Sequence, residues 1–339
     1  MWERKKTISI AIAAAVLAGV YIFTVTAAKQ VPPIDDAGAY RAYWSEYAKR
    51  HGSAAAYEAF KNENATAPEE DRHRAAHVIG DVLYERESVR GIAICDQSFG
   101  FGCFHGLFSA AFAEERADEL VRRLDDACLE RFGVGGTGCQ HGIGHGILEY
   151  LGYERLHDAL ALCDETARIS PFLGCVSGVF MEYSNPLVSD PAANTFETRP
   201  RPFDAAAPYG PCGAVPEPYR LSCYFELAPW WSAHMTGKYG EMGAFCAKLP
   251  REEDRRACTI GIGSHIAVKK EFDIENAGRA CDALGGTTRR VWCRAGAAWA
   301  VHAESKADEA RAPELCTPLS TKEREECLSL YRLDAAALN

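Results

Sequence analysis

Several familiar functional signatures are absent from this chain of 339 residues. It has no Cys-X-X-Cys pair, the close spacing on which cysteine-rich zinc sites and thioredoxin-like redox centres depend. It also has no GxSxG nucleophile elbow, no P-loop and no CxxCH haem-attachment motif. The net charge is -10, whereas nucleic-acid binding needs clustered Lys and Arg. These absences argue against nucleic acid as a partner and leave no standard catalytic motif.

One long uncharged apolar run lies at the N-terminus, in residues 7–28. About 20 apolar residues are enough to cross a bilayer. Residues 1–6 (MWERKK) are basic, so the positive-inside rule predicts a cytoplasmic stub there, a transmembrane signal anchor at 7–28, and a periplasmic or extracellular body. The alternative is a signal peptide cleaved near Val25–Ala27, although the apolar core of such a peptide is usually about 7–15 residues long. Both interpretations export the body of the protein, and the first makes the membrane a partner.

The 14 cysteines fall into seven consecutive close pairs. An even number of cysteines in an exported chain is typical of disulfide bonds. The first members of successive pairs are 33, 35, 49, 34, 35 and 35 residues apart, which indicates a two-helix repeat of tetratricopeptide length with one insertion. We predict a bond within each of the pairs Cys95/Cys103, Cys128/Cys139, Cys163/Cys175, Cys212/Cys223, Cys246/Cys258, Cys281/Cys293 and Cys316/Cys327.

The residues within a cysteine pair are turn-like, and those between pairs have a helical pattern. We therefore expect a helix to start at each second cysteine, where the disulfide clamps it to the preceding helix and stabilises the fold by about 2–3 kcal/mol. The third residue after the second cysteine is glycine in five units. Because glycine within a helix is otherwise unfavourable, this predicts close helix packing. These glycines are Gly106, Gly142, Gly178, Gly261 and Gly296.

Together these patterns predict an all-α fold of disulfide-stapled helical-hairpin repeats, forming a solenoid or superhelix behind a single N-terminal transmembrane helix. The predicted divisions are a juxtamembrane helical pair (35–64), N-terminal repeats with histidines (70–184), a Pro-rich insertion (185–211), and C-terminal repeats with a cap (212–339). In unit length and in having one bridge per unit between Cys95 and Cys327, the chain resembles secreted cysteine-rich proteins built from Sel1-like repeats. The cysteine spacing differs, and the resemblance carries no function or residue role with it.

Five of the ten histidines fall in one helical register. Counted from the second cysteine of a unit, His105 and His141 are at position two and His145 is at position six. The preceding unit has no cysteine, and we assign its His73 and His77 to the same two positions. Residues four apart share a helix face, and equivalent side chains on packed helices are neighbours. The sequence therefore predicts that these five imidazoles converge as ligands of a metal ion.

The residues near these histidines narrow the choice of ion. Glu149 and Glu182 could add oxygen ligands, and Met181 a thioether sulfur. Histidine with carboxylate favours zinc, iron or manganese, whereas a thioether would favour copper. If the protein is an enzyme, a metal-activated water is the expected reagent, with Glu149 or Glu182 as general base.

The main alternative is a metal-free solenoid scaffold that binds a protein or a cell-envelope partner. This hypothesis predicts an exposed aromatic patch around Trp230 and Trp231, and histidines that are dispersed or buried. Buried histidines with a purely structural role, and a polar pocket without metal, also remain open at this point. The residues do not decide whether the chain is an enzyme.

Overall fold

A computed structural model describes residues 30–190, 195–305 and 308–331 of the chain. The predicted stub at 1–6 and signal anchor at 7–28 lie outside these residues. Within the described ranges, no helix combines the length and the apolar composition needed to cross a bilayer.

The described part of the chain is helical, as predicted, apart from one short hairpin. Before the insertion, the helices are α1 (Ala37–His51), α2 (Ser53–Glu63), α3 (Glu69–Glu87), α4 (Gly102–Glu114), α5 (Ala117–Phe132), α6 (Thr137–Leu151), α7 (Leu156–Cys163) and α8 (Cys175–Ser184). After it they are α9 (Glu217–Phe225), α10 (Leu227–His234), α11 (Tyr239–Ala247), α12 (Glu252–Lys269), α13 (Ile274–Asp282), α14 (Thr287–Glu304) and α15 (Thr321–Leu330). Short 3₁₀ helices occupy Ser88–Ala93, Gly133–Gly135, Gly210–Gly213 and Glu309–Cys316.

The insertion contains no α-helix among its described residues, which agrees with its high proline content. Two strands, β1 (Leu187–Asp190) and β2 (Thr195–Thr198), pair antiparallel within it. The Leu187–Thr198 pair begins the ladder and the Asp190–Thr195 pair ends it.

All seven predicted disulfides are present, each within its predicted pair. The predicted helix starts are wrong for the C-terminal units, because Cys223, Cys258, Cys293 and Cys327 each lie six residues inside their helices. The stronger start signals precede the cysteines. Helix α12 opens with three acidic residues, and α15 has a capping box at Ser320.

The recurrent glycines lie where neighbouring helices approach most closely, as predicted. At four of the five positions a β-carbon would meet a carbonyl oxygen of the adjacent helix at a distance that no side chain tolerates. Gly142 is the exception, because its nearest neighbours are the Phe104 and Phe108 side chains at 3.0–3.1 Å. The four close approaches are Gly106 to His77 (1.8 Å), Gly178 to His141 (1.9 Å), Gly261 to Phe225 (1.9 Å) and Gly296 to Ile260 (2.0 Å).

In three pairs of helices, each helix contributes one glycine to a close contact with the backbone of the other. In α6 and α12 a second glycine lies five residues after the second cysteine. A β-carbon at this glycine would meet the carbonyl oxygen of a cysteine in the partner helix. The same contact is made in α3 by Gly80. The three reciprocal pairs are therefore α3/α4, α6/α8 and α12/α14. The second contacts are Gly80 to Cys103 (2.1 Å), Gly144 to Cys175 (2.0 Å) and Gly263 to Cys293 (1.9 Å).

These contacts correct the predicted alignment of the cysteine-free unit. Gly80 plays the part of Gly144, so the residue equivalent to His141 is His77, three positions before Gly80. His73 lies one turn earlier than predicted, at a position that the other units do not use. The alignment was shifted by one helical turn because the two histidines, rather than the glycine, were matched.

Helices α3, α4, α6, α8, α9, α12 and α14 contact one another in that order. Helices α5, α7 and α13 each pack against two neighbouring members of this series, and α11 packs against α12. The two ends of the series also approach each other, since a β-carbon at Gly100 would lie 3.7 Å from the Glu304 carboxylate and 3.1 Å from the His73 ring. Side chains from both halves of the chain therefore reach one region.

Candidate metal centre

The five predicted ligands lie together on three consecutive helices of this series. His73 and His77 come from α3, His105 from α4, and His141 and His145 from α6. Their ring centroids are 4.2–5.5 Å from those of their neighbours in what we call the histidine cluster. His105 and His145 are buried, and the other three are half-buried. The convergence expected from the sequence is therefore present.

His73, His77 and His105 form the first triad. Each offers one nitrogen, and the three nitrogens lie within 4.8 Å of one another. The Nε2 atoms of His73 and His77 are 3.2 Å apart, and Nδ1 of His105 is 3.3 Å from Nε2 of His77. Two nitrogens bound tetrahedrally to zinc at about 2.0–2.1 Å would be about 3.3–3.4 Å apart. Two of the three nitrogen separations in the triad therefore match those of a three-histidine metal site.

The ring arrangement of the first triad agrees with this spacing. Its three centroid separations are 4.9, 5.1 and 5.1 Å, with interplanar angles of 67°, 72° and 75°. Three imidazoles on one tetrahedral ion would have centroids about 5 Å apart. Nδ1 of His73 donates to the carbonyl oxygen of Phe99 at 2.8 Å, which directs its Nε2 toward the triad.

His105, His141 and His145 form the second triad, again with one nitrogen each within 4.8 Å of the others. Nε2 of His141 and Nε2 of His145 are 3.0 Å apart. Each of these rings has a partner behind it. Nδ1 of His141 is 2.7 Å from Ser177 Oγ, and Nδ1 of His145 is 2.8 Å from Glu182 Oε2.

These outer hydrogen bonds fix the tautomers of the second triad. Ser177 donates its own hydroxyl hydrogen to the Gly174 carbonyl oxygen, so it accepts from Nδ1 of His141. The Glu182 carboxylate likewise accepts from Nδ1 of His145. Both Nε2 atoms then carry lone pairs and face each other across 3.0 Å. A shared proton or a cation between them would relieve the repulsion.

Protonating these imidazoles is less favourable than binding a cation, because the rings are buried and lie close to one another. Burial, and then repulsion from neighbouring imidazoles, lowers the pKa of His77, His105 and His141 well below the usual value and that of His145 to about 3. The rings are therefore neutral near pH 7, the form in which imidazole binds metals. Nε2 of His105 is also buried without a hydrogen-bond partner in the described part of the chain. A metal cation would satisfy these nitrogens together.

The two predicted acidic residues occupy different positions. Glu182 is only 3% exposed and lies behind His145, where it also accepts from the Tyr153 hydroxyl at 2.9 Å. Partial burial of the Glu149 carboxyl, followed by repulsion from Glu182 and offset by a hydrogen bond from Ser109, raises the pKa of Glu149 to about 7. The Glu149 residue as a whole is exposed.

Sequence reasoning missed Glu226, Ser177 and Glu304. Glu226 is 3% exposed and lies between α9 and α10, three residues after Cys223, where five other units have glycine. Burial and then repulsion from Glu304 raise the pKa of Glu226 well above its usual range, although a polar contact with Ser177 opposes the rise. Ser177 thus connects the histidine cluster with a buried carboxyl. The missing glycine was the available signal.

The remaining histidines stand apart from the cluster. His51, His157 and His234 are exposed. His302 is also exposed and lies 3.6 Å from Glu309. His265 is half-buried and belongs to neither triad.

The two tryptophans named by the scaffold hypothesis are buried. Nε1 of Trp230 donates to the Arg201 carbonyl at 2.8 Å, and Nε1 of Trp231 donates to the Pro208 carbonyl at 2.7 Å. The insertion covers both indoles, so the exposed aromatic patch expected there does not exist. This region also borders a cleft of about 250 Å³ between Tyr183, Arg201 and Trp230.

Comparisons with models of known families, with curated proteins and with solved structures found no match to this chain. The functional argument therefore depends on the geometry of the site.

Proposed function

We propose that this protein binds divalent transition-metal ions outside the cytoplasm, through its histidine cluster. The single observation that carries the proposal is the pair of facing acceptor nitrogens of His141 and His145, 3.0 Å apart in surroundings that disfavour protonation. A ligand set dominated by imidazole favours zinc, iron or copper among the common ions. The ligands are half-buried to buried, and the hydrogen bonds behind them orient the rings before an ion arrives.

The export of the protein is part of the proposal. Seven disulfides are typical of an oxidising compartment, and residues 7–28 have the composition of a signal anchor. We infer a single-pass membrane protein with the histidine cluster in the periplasmic or extracellular body. The membrane is then its first partner, and fractionation of the tagged full chain, with and without residues 7–28, tests this placement.

We also propose that the helix series is a solenoid of helical-hairpin repeats. The regular cysteine pairing, the recurring glycine contacts and the ordered contacts from α3 to α14 support this view. The role of the repeat in this proposal is to place position two of one unit beside position two of the next. That placement brings histidines from separate helices together.

Metal-dependent hydrolysis is a second candidate function, favoured by one observation. Three histidines leave a coordination position open on zinc, and such an ion lowers the pKa of a bound water. Glu149 lies one turn beyond His145, and its pKa is raised toward neutrality, as a general acid or base requires. If Glu149 has this role, Glu149→Gln abolishes metal-dependent activity on ester or phosphoester probes while metal content stays unchanged.

The proposed function is tested by metal analysis of the full chain, purified without chelators and then dialysed against equimolar Zn²⁺. We expect at least one tightly bound ion per chain. His141→Ala/His145→Ala should lose an ion, whereas the control His157→Ala/His234→Ala, at two exposed sites, should retain the wild-type content. Occupancy near zero in the wild type, or equal occupancy in all three proteins, would refute the proposal.

A further inference from the structure

We propose, on the basis of the metal-binding function above, that the histidine cluster holds two ions and that the imidazole ring of His105 bridges them. The two triads are not independent, because His105 belongs to both. The His105 ring neighbours both pairs: its centroid lies 5.1 Å from that of His77 on α3, and 4.2 Å from that of His145 on α6, which is stacked on it. The inference concerns the number of ions and the role of one residue.

Only one of the two nitrogens of His105 has a hydrogen-bond partner among the described residues. Nδ1 is 3.3 Å from Nε2 of His77 and so faces the first triad. His105 is only 1% exposed, and its buried Nε2 has no hydrogen-bond partner in the described residues. An unpartnered buried nitrogen is unfavourable, and a second ion on the side of His141 and His145 would satisfy it.

Each pair also has its own orienting hydrogen bonds. The Phe99 carbonyl holds His73, while Ser177 and Glu182 hold His141 and His145. Such bonds fix ring orientation at metal sites, and here they direct two separate pairs of Nε2 atoms toward two positions. One ion at about 2.0–2.1 Å from its ligands cannot take all five rings in a tetrahedral site. Two ions that share one ring use every histidine in the cluster.

The charges in the region suit two cations. Binding the second ion requires His105 to lose its remaining N–H proton to solvent, which leaves an imidazolate with one lone pair for each metal. This anion and the carboxylates of Glu182 and Glu149 offset the charge of two divalent ions.

The test is the stoichiometry of the full chain loaded with Zn²⁺, followed by electron paramagnetic resonance of the Cu²⁺-loaded protein. We expect two ions in the wild type, one in His77→Ala and one in His141→Ala. Two Cu²⁺ ions bridged by imidazolate should couple, so the wild-type signal should be much weaker than its copper content predicts. The full signal should return in both single-site variants.

The outcomes separate this inference from the function on which it rests. No bound ion in the wild type refutes the metal-binding function itself. One ion in the wild type refutes only the paired site, and two ions with an uncoupled signal refute the bridge. His105→Gln should retain fewer than one ion, since each remaining pair has only two ligands. If that variant does not fold, as judged by circular dichroism, the His77→Ala and His141→Ala variants still decide the question.

Discussion

The helix pairs α6/α8 and α12/α14 share one packing device but present different side chains. In both, two glycines bring backbones together, with β-carbon positions 1.9–2.0 Å from carbonyl oxygens of the partner helix. In α6/α8, position two holds His141 and Ser177, which are hydrogen-bonded at 2.7 Å. In α12/α14 the same position holds the buried apolar residues Ile260 and Ala295. The packing does not require histidine.

This difference indicates that the helix packing and the histidines have separate roles. Burying polar rings is unfavourable unless each nitrogen has a partner, and the C-terminal pair shows that apolar residues serve the fold at this position. The N-terminal pairs nevertheless hold five histidines in contact. This contrast supports the proposal that the histidines bind an ion, and the variants below test whether scaffold and site can be separated.

The largest expected effect is on the packing shared by both pairs. Gly178→Ala and Gly296→Ala should each destabilise the metal-free protein by about 3 kcal/mol or more, because the added carbon would overlap a backbone carbonyl. Gly213→Ala is the control, since no atom lies within 4 Å of that position. Urea unfolding measures the free energy of unfolding of the three variants. The Zn²⁺ affinity should fall only for Gly178→Ala. Equal stability of all three variants would contradict the packing account.

The disulfides should be equivalent in stability but not in function. Cys163→Ser/Cys175→Ser and Cys281→Ser/Cys293→Ser each open a bridge with a sequence separation of 12 residues. Each double variant should lose about 3 kcal/mol of unfolding free energy in the loop-closure model. Only the first should also weaken Zn²⁺ binding, since Cys175 begins the helix that supplies Ser177 and Glu182. The same loss of affinity in both would indicate that the whole series acts as one unit.

The hydrogen bond behind His145 should tune the affinity of the site. Glu182→Gln removes the charge that accepts from His145 Nδ1, and changes of this type usually weaken metal binding about 10- to 100-fold. Glu154→Gln, at an exposed carboxylate, is the matched control and should have the wild-type Kd. Competition with a chromophoric chelator measures both. An unchanged Kd for Glu182→Gln would place the ion elsewhere.

The smallest expected effect depends on pH and concerns Glu226. Because its pKa is raised in the folded protein, the folded state holds this proton more tightly than the unfolded chain does. The resulting stabilisation is complete below the unfolded pKa and is lost as pH rises through the folded pKa. Glu226→Gln should therefore be more stable than the metal-free wild type at pH 8, by on the order of 1–3 kcal/mol. The gain should vanish near pH 4, and a gain independent of pH would contradict this assignment.

The sequence predicted features that depend on short-range constraints. Cys163 and Cys175 close a short loop, so their pairing follows from proximity along the chain, as it does for the other six bonds. The recurrence of glycine at one position predicted the close approach of Gly178 to His141. The convergence of the five histidines followed from the period of the repeat and the spacing of four residues within a helix.

The features that were missed depend on long-range packing. His77 was placed one turn out of register because its unit lacks the cysteine that marks the others. Glu226 and Glu304 are far apart in sequence and interact only because the fold brings them together. No local pattern specifies that approach. The burial of Trp230 and Trp231 likewise depends on where the insertion folds back.

The central claim is that the facing nitrogens of His141 and His145 hold a metal ion. Anomalous diffraction at the zinc edge, from crystals of the Zn²⁺-dialysed protein, tests it most directly. We predict a peak at about 2.0–2.1 Å from Nε2 of both His141 and His145. A fully loaded crystal with no anomalous peak at these nitrogens, or with peaks only at exposed histidines such as His157 and His234, would contradict the account.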